Sequence, residues 1–166
     1  MEALTAQTMA RYNRWMNERL FGCCAQLSDE ERKRDVRAFF KSIHGTLNHL
    51  LLADRVWLGR FTGKPFVVTS LAQELYSDFS ELRAERASTD AAIVDWAGSL
   101  TTEDFARELS YTGITNPKPR RYPFWLVVAH FFNHQTHHRG QLTTLLSQRG
   151  LDPGVTDLIA VPEFQV

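Results

Sequence analysis

Four long stretches of this chain carry apolar residues at three- and four-residue steps, a spacing that predicts helices. They cover approximately residues 4–27, 39–61, 78–100 and 123–149. The second stretch ends at Gly63 and Pro65, which stop helices, and the fourth opens on Pro123, a residue that suits a first turn. Four helices of about 20 residues or more, joined by short connections, predict an all-α fold in the form of a four-helix bundle.

Shorter elements are predicted between these helices. Ser28 and the three acidic residues after it resemble a capping box that opens a short helical turn, and residues 101–104 start another short helix. Residues 109–123 contain Gly113, Pro117 and Pro119, which predicts a loop or a loose hairpin before the last helix. The 166 residues contain no linker-like tract, so we expect a single domain over residues 1–166.

The charge balance excludes partners that bind through bulk electrostatics. The chain has 19 Lys and Arg residues against 19 Asp and Glu residues, so its formal net charge is zero. Nucleic-acid binders and polybasic membrane binders normally carry a positive surplus, so we expect neither partner. No apolar run reaches the roughly 20 residues of a transmembrane helix, and the first residues do not resemble a signal peptide. The adjacent Cys23 and Cys24 are poorly placed for a disulfide, which favours a cytoplasmic protein.

Histidine is concentrated in the fourth helix, where four of the six histidines lie close together. Because a helix turns 100° per residue, the apolar side chains of this segment occupy an arc from about 300° to about 40° relative to Phe124. His138 lies inside that arc at about 320° and His134 on its edge at about 280°, whereas His130 and His137 lie well outside it. His134 and His138 are therefore predicted to point inward, and their four-residue spacing would let both rings bind one ion.

The second helix offers a third histidine. With Phe40 taken as zero, His49 lies at about 180° on the largely apolar side of the helix. His44 falls between about 40° and 100° with polar residues, which predicts a position on the solvent face. Asp54, at about 320°, is a carboxylate on a side that should be buried, so it needs an imidazole N–H or an arginine as a partner.

The inward histidines have two interpretations. A lone histidine on an apolar face is usually a hydrogen-bonded core residue, and spacing alone leaves that role open. Three neutral imidazoles without a thiolate suit Zn²⁺, Ni²⁺ or Fe²⁺ and leave coordination positions for water or substrate, as in a catalytic site. The residues between His134 and His138 lack the glutamate of the His-Glu-x-x-His zinc proteases, so peptide hydrolysis by that mechanism lacks its general base.

Three segments carry a family resemblance. They are GTLNHLLLADRVW at residues 45–57, NHQTHHRGQL at residues 133–142 and PGVTDLI at residues 153–159. These segments resemble the DinB family, the DNA-damage-inducible type of metalloenzyme, and the resemblance covers nearly the whole chain. It implies a four-helix bundle in which a histidine of the second helix and an HxxxH pair of the last helix hold a divalent metal. On this chain those positions are His49, His134 and His138.

The resemblance also implies an activity. Members of the family include thiol-dependent transferases and isomerases and are often dimeric. We therefore expect a homodimeric, metal-dependent hydrolase or small-thiol-dependent transferase, whose substrate is a small molecule such as a low-molecular-weight thiol. The metal would be zinc, nickel or iron, with manganese as a further alternative. The alternative class is a non-catalytic helical bundle that binds a metal or a partner.

Three further residues are candidates for supporting roles. Asp54 and Gln141 could orient a ligand imidazole, although a salt bridge is the alternative for Asp54. Arg139 could contact an anionic group of the substrate, with a surface ion pair as its alternative. Residues 111–123 place prolines and arginines where the family commonly has a glycine-containing turn, and a tract of this kind could border the site.

Overall fold

The computed structural model describes residues 2–165, and this part of the chain is mostly helical. Its α-helices are α1 (Ala3–Cys24), α2 (Asp29–Lys33), α3 (Ile43–Thr62), α4 (Phe79–Gly98) and α5 (Phe124–Ser147). Strands β1 (Glu108–Thr112) and β2 (Pro119–Pro123) form an antiparallel hairpin between α4 and α5. Short 3₁₀ helices cover Glu103–Ala106, Leu158–Ala160 and Pro162–Phe164.

The hairpin corrects the all-α class predicted from the sequence. Of the two predictions for residues 109–123, a loop or a loose hairpin, the structure has a hairpin whose strands pair in register from Glu108 opposite Pro123 to Thr112 opposite Pro119. Its first strand alternates exposed and half-buried side chains, because one face of the hairpin lies against the helices and the other faces solvent. The fold is therefore mostly helical with one small sheet.

The start of α3 differs from the prediction by four residues. The sequence predicts a helix from residue 39, but α3 begins at Ile43, after Ser42 accepts a hydrogen bond from the Gly45 backbone N–H at its side-chain oxygen (3.0 Å). Arg37 and Lys41 precede it with φ angles of 58° and 65°, in the left-handed region that few side chains adopt. The irregular backbone of this segment turns the chain back toward α3.

The four long helices pack in four pairs, α1 with α4, α1 with α5, α3 with α4 and α3 with α5. Their apolar side chains form two clusters. One includes Met16, Leu47, Leu82 and Leu142, and the other includes Trp57, Ile93, Phe124 and Phe131. On each helix, buried polar residues lie between the two clusters: Asn13 and Asn17 on α1, Asp54 on α3, Arg86 and Asp90 on α4, and Gln135 and Arg139 on α5. We call these seven residues the ionic network.

In residues 2–165 no helix combines the length and the apolar composition that crossing a bilayer requires.

The predicted solvent face of α3 is wrong for His44. Its side chain is only 1% exposed, because the connection between α3 and α4, residues 63–78, folds back over this face. His44 Nε2 donates to the backbone carbonyl of Tyr76 (2.9 Å), and Asn48 Oδ1 accepts from the backbone N–H groups of Leu75 (2.8 Å) and Tyr76 (3.0 Å). A polar stripe on a helix is satisfied here by a covering loop instead of by water.

Candidate metal centre

Three histidines from two helices converge at one point. His49 comes from α3, and His134 and His138 come from successive turns of α5. Each offers one ring nitrogen such that all three nitrogens lie within 4.8 Å of one another. The Nε2 atom of His134 lies 3.4 Å from that of His49 and 3.1 Å from that of His138. The structure thus brings together the three residues that the angular positions select.

Hydrogen bonds at the outer edge of two rings determine which nitrogen faces the centre. The Nδ1–H of His49 donates to the backbone carbonyl of Leu71 (2.9 Å), since a carbonyl can only accept. The Nδ1–H of His138 donates to the side-chain oxygen of Gln141 (2.8 Å). A neutral imidazole protonated at Nδ1 carries a lone pair at Nε2. His49 and His138 therefore present lone pairs to the centre, as metal ligands do.

Electrostatics keep these rings neutral. Burial, followed by the neighbouring His138 and His49, lowers the pKa of His134 to about 3. Burial also lowers the pKa of His49 to about 4, although its hydrogen bond to Leu71 opposes the shift. The pKa of His138 is lowered, again mainly by burial. A cluster that excludes protons at neutral pH presents the unprotonated imidazoles that a divalent cation requires.

Phe40 covers one side of the centre, and open space lies beside it. The ring of Phe40 stacks on the His49 imidazole, with ring centroids 3.8 Å apart and planes 16° from parallel, and its edge faces His138. A pocket of about 530 Å³ opens beside them. Its lining residues include His49, Leu71, Thr115, His137, His138 and Gln141. A ligand set with three nitrogens and an adjoining pocket leaves room for a non-protein ligand.

The other two histidines of α5 lie outside this ligand set. His130 and His137 are exposed, as their angular positions predict. His137 contacts the side-chain nitrogen of Gln141 (3.3 Å), and the ring of His130 packs against Trp57. Among the described residues neither joins the group of three nitrogens, so the donor set is three imidazoles without a fourth protein ligand.

The predicted supporting residues occupy different surroundings. Gln141 contacts a ligand imidazole directly. Asp54 is buried in the ionic network, where its carboxylate accepts from Arg86 Nη1 (2.7 Å) and Gln135 Nε2 (3.0 Å) and from no imidazole among residues 2–165. Arg139 is 3% exposed and donates to Asn13 and Thr136, so its guanidinium faces α1 and not the pocket.

Two parts of the centre are absent from the sequence predictions. The sequence predicts Phe40 inside the second helix, whereas it precedes α3 and covers His49. The carbonyl of Leu71 belongs to the connection between α3 and α4, which carries no recognisable pattern. Backbone carbonyls give no sequence signal, so only the folded arrangement shows this partner.

Comparisons with known proteins agree with this architecture. The chain is 26% identical over 149 residues to protein DinB of Bacillus subtilis (strain 168), an alignment that covers 88% of this chain and 87% of the relative. A crystal structure of a DinB-like protein from Bacillus cereus ATCC 10987 superposes with a TM-score of 0.62 at 22% identity, covering 92% of both chains. The sequence matches the DinB family over residues 1–165. This chain belongs to the DinB family.

Proposed function

We propose that this chain is a metal-dependent enzyme in which His49, His134 and His138 bind one divalent ion. The convergence of three neutral imidazoles beside an open pocket carries the proposal. Zinc, nickel and iron suit such a nitrogen donor set, and manganese is a further candidate. The ion would act as a Lewis acid that lowers the pKa of a bound water molecule or thiol.

The protein residues would orient the ligands and shape the pocket. The Leu71 carbonyl and the Gln141 side chain fix the rings of His49 and His138 with Nε2 toward the centre. Phe40 excludes water from one side of His49 through ring stacking. Contacts of this kind hold the ligand nitrogens in the positions that an ion would need.

The pocket lining favours a small-thiol-dependent transferase over a hydrolase. In the described part of the chain no carboxylate lines the pocket beside His138, whereas Asp35 and Glu74 line a neighbouring pocket that also includes His49. Hydrolysis in the pocket beside His138 would therefore lack an acidic general base. A thiol needs less assistance, because its ordinary pKa is about 8.5 and a metal lowers it further. A hydrolase remains the second candidate, with the exposed imidazole of His137, which lines the pocket, as the group that accepts a proton from water.

Metal titration tests the binding step. Chelator-treated, tag-free protein should bind one equivalent of Zn²⁺, Ni²⁺, Mn²⁺ or Fe²⁺ in isothermal titration calorimetry. His134→Ala removes one of the three proposed ligands. It should weaken metal binding by more than about 100-fold, since losing a residue that only orients a ligand typically costs about 10–100-fold. His130→Ala is the matched control, one turn away on the same helix, and should bind like the wild type. Failure of the wild type to bind any of these ions stoichiometrically would refute the proposal.

An activity screen tests the reaction class. Metal-loaded protein is incubated with a panel of low-molecular-weight thiols and an electrophile, and the loss of free thiol is followed. The proposal expects thiol consumption that requires metal and is lost in His134→Ala. Consumption of ester substrates without any thiol would favour the hydrolase. Stoichiometric metal binding with neither activity would support the non-catalytic metal-binding bundle instead.

Assembly is a separate part of the proposal. We propose a homodimer on the basis of the family resemblance, and sedimentation velocity of the metal-loaded protein tests it. A single species with the mass of one 19.1 kDa chain would contradict the dimer.

A further inference from the structure

A second pocket, of about 360 Å³, lies between the hairpin and the start of α5. It is separate from the pocket at the histidine centre, and none of its lining residues is one of the three centre histidines. Its walls are aromatic and cationic, with Trp57, Tyr111, Tyr122, Leu126, Arg120 and His130 among the lining residues. No acidic side chain of residues 2–165 lines it.

The strand register explains why these side chains face the pocket together. Tyr111 pairs with Arg120 across the hairpin, and Leu109 pairs with Tyr122, so all four project from one face. The opposite face carries Glu108 and Arg121, which form an ion pair with each other. The hairpin therefore neutralises Arg121 on its outer face, whereas Arg120 has no carboxylate partner among the described residues.

A second guanidinium lies behind the aromatic wall. The Cζ atom of Arg60 is 4.5 Å from the Trp57 ring centroid and 4.2 Å from that of Tyr111, so two rings hold it in place. Burial and the nearby positive charge of Arg120 lower the pKa of Arg60. Arg60 also lacks an ion pair within residues 2–165. Two uncompensated cations next to a partly apolar pocket attract a negative charge.

The pocket adjoins the histidine centre. The ring of His130, in its lining, has its centroid 6.0 Å from that of His134 and 5.3 Å from that of Trp57. The pocket therefore lies one helical turn of α5 from the centre, with His130 between the two.

We propose that this pocket binds an organic anion with a planar ring, an aryl carboxylate or aryl phosphate, as part of the substrate. The ring would lie among Trp57, Tyr111 and Tyr122, and the anionic group would bind Arg120. Assigning the anion to the substrate rests on the proposed metal-dependent activity. The binding of the anion to this pocket does not depend on that activity, because neither Arg120 nor any of the three aromatic residues is a candidate metal ligand.

Calorimetry with four small probes tests the proposal on chelator-treated, full-length protein. The probes are 2-naphthoate, 2-naphthyl phosphate, the neutral isostere 2-naphthamide and acetate. We expect one or both naphthyl anions to bind about tenfold or more tightly than either 2-naphthamide or acetate, because each control lacks the charge or the ring. The carboxylate and the phosphate distinguish the two sources of charge. Equal affinity for 2-naphthamide and both anions would overturn the proposal without any variant.

Two matched variants locate the anion. Arg120→Gln should weaken binding of the tighter naphthyl anion by about tenfold, whereas Arg121→Gln, the next residue on the outer face, should change it by less than about twofold. Tyr122→Ser, at a side chain that is 37% exposed, should weaken the anion and 2-naphthamide by similar factors. Equal effects of Arg120→Gln and Arg121→Gln would contradict the assignment.

His134→Ala separates this proposal from the metal site. Anion binding should persist in this variant within about twofold, even though metal binding is lost. Anion binding that requires added metal and disappears in His134→Ala would place the anion on the ion and overturn the pocket assignment. If the wild type binds the naphthyl anion but no metal, only the proposed metal function is refuted.

Discussion

Two polar clusters, the histidine centre and the ionic network, lie at similar positions along α3 and α5, and they differ in how their polar atoms are paired. His134 and His138 belong to the histidine centre, whereas their immediate neighbours Gln135 and Arg139 belong to the ionic network. Adjacent residues on a helix point about 100° apart, so one segment of α5 supplies both clusters. The histidine centre adjoins a pocket, and the ionic network is buried among all four long helices.

The difference lies in how each cluster satisfies its polar atoms. In the ionic network Arg86 pairs with Asp54 (2.7 Å) and Asp90 (2.9 Å), and Asn17 donates to Asp90 as well. In the histidine centre the outer nitrogens of His49 and His138 are satisfied, but three inner nitrogens face one another. The charged groups of the ionic network pair with each other across the helices, whereas the inner nitrogens of the histidine centre converge on one point, where an ion could bind.

The largest predicted effect concerns stability and the ionic network. Arg86→Leu leaves the Asp54 and Asp90 carboxylates buried without their guanidinium, so the free energy of unfolding should fall by about 3–5 kcal/mol. Urea denaturation of the metal-free protein measures it. Arg83→Leu, an exposed arginine on the same helix, is the control and should change stability by about 0.5 kcal/mol or less. A loss below about 1 kcal/mol for Arg86→Leu would contradict the structural role.

The second prediction couples metal to stability through the histidine centre alone. Free Zn²⁺ at about 100 times its dissociation constant should raise the free energy of unfolding by about 2.7 kcal/mol. His134→Ala should lose this increase, and His130→Ala should keep it. Urea denaturation with and without zinc gives the comparison. An equal increase in His134→Ala would place the ion elsewhere.

The third prediction concerns the partner that orients His138. Gln141→Leu removes the hydrogen-bond acceptor of His138 Nδ1 and should weaken zinc binding by about 10–100-fold, with little effect on the fold. Calorimetry measures the affinity. Gln148→Leu, at an exposed position just after the same helix, should bind zinc like the wild type. Unchanged affinity in Gln141→Leu would show that the ring needs no such support.

The smallest predicted effect is on pH dependence in the metal-free protein. The pKa of His134 is lowered to about 3 in the folded chain from an ordinary 6.5, so the unfolded chain takes up a proton first as the pH falls. The free energy of unfolding should therefore drop below about pH 6.5, and His134 alone should account for about 1–2 kcal/mol between pH 7 and pH 5. His134→Asn should show a correspondingly shallower drop in urea denaturation. Identical pH profiles would contradict a buried neutral imidazole.

Sequence periodicity predicts the features that depend on a single helix, such as which side chains point inward. The inward positions of His134 and His138 and the outward positions of His130 and His137 follow from 100° per residue. The capping box at Ser28 is confirmed, with Glu31 as its partner, because its residues are neighbours in sequence.

Features made by distant segments were harder to predict. Periodicity predicts a solvent face for His44, because it cannot show that residues 63–78 fold over this residue. The helical angle of Gln135 places it among the apolar residues of α5, and only the fold shows that its side chain donates to Asp54, 81 positions away. The sequence does contain one indication of the ionic network. Arg86 has the helical spacing of the buried Leu82 and Ile93, which indicates an arginine on the buried side of α4.

The most direct test of the histidine centre is a crystal structure of the zinc-loaded protein, with anomalous diffraction recorded at the zinc edge. We predict one ion about 2.0–2.1 Å from the Nε2 atoms of His49, His134 and His138, with its remaining coordination facing the pocket beside Gln141. An ion bound away from these three nitrogens, or a fourth protein ligand closing the site, would contradict the account.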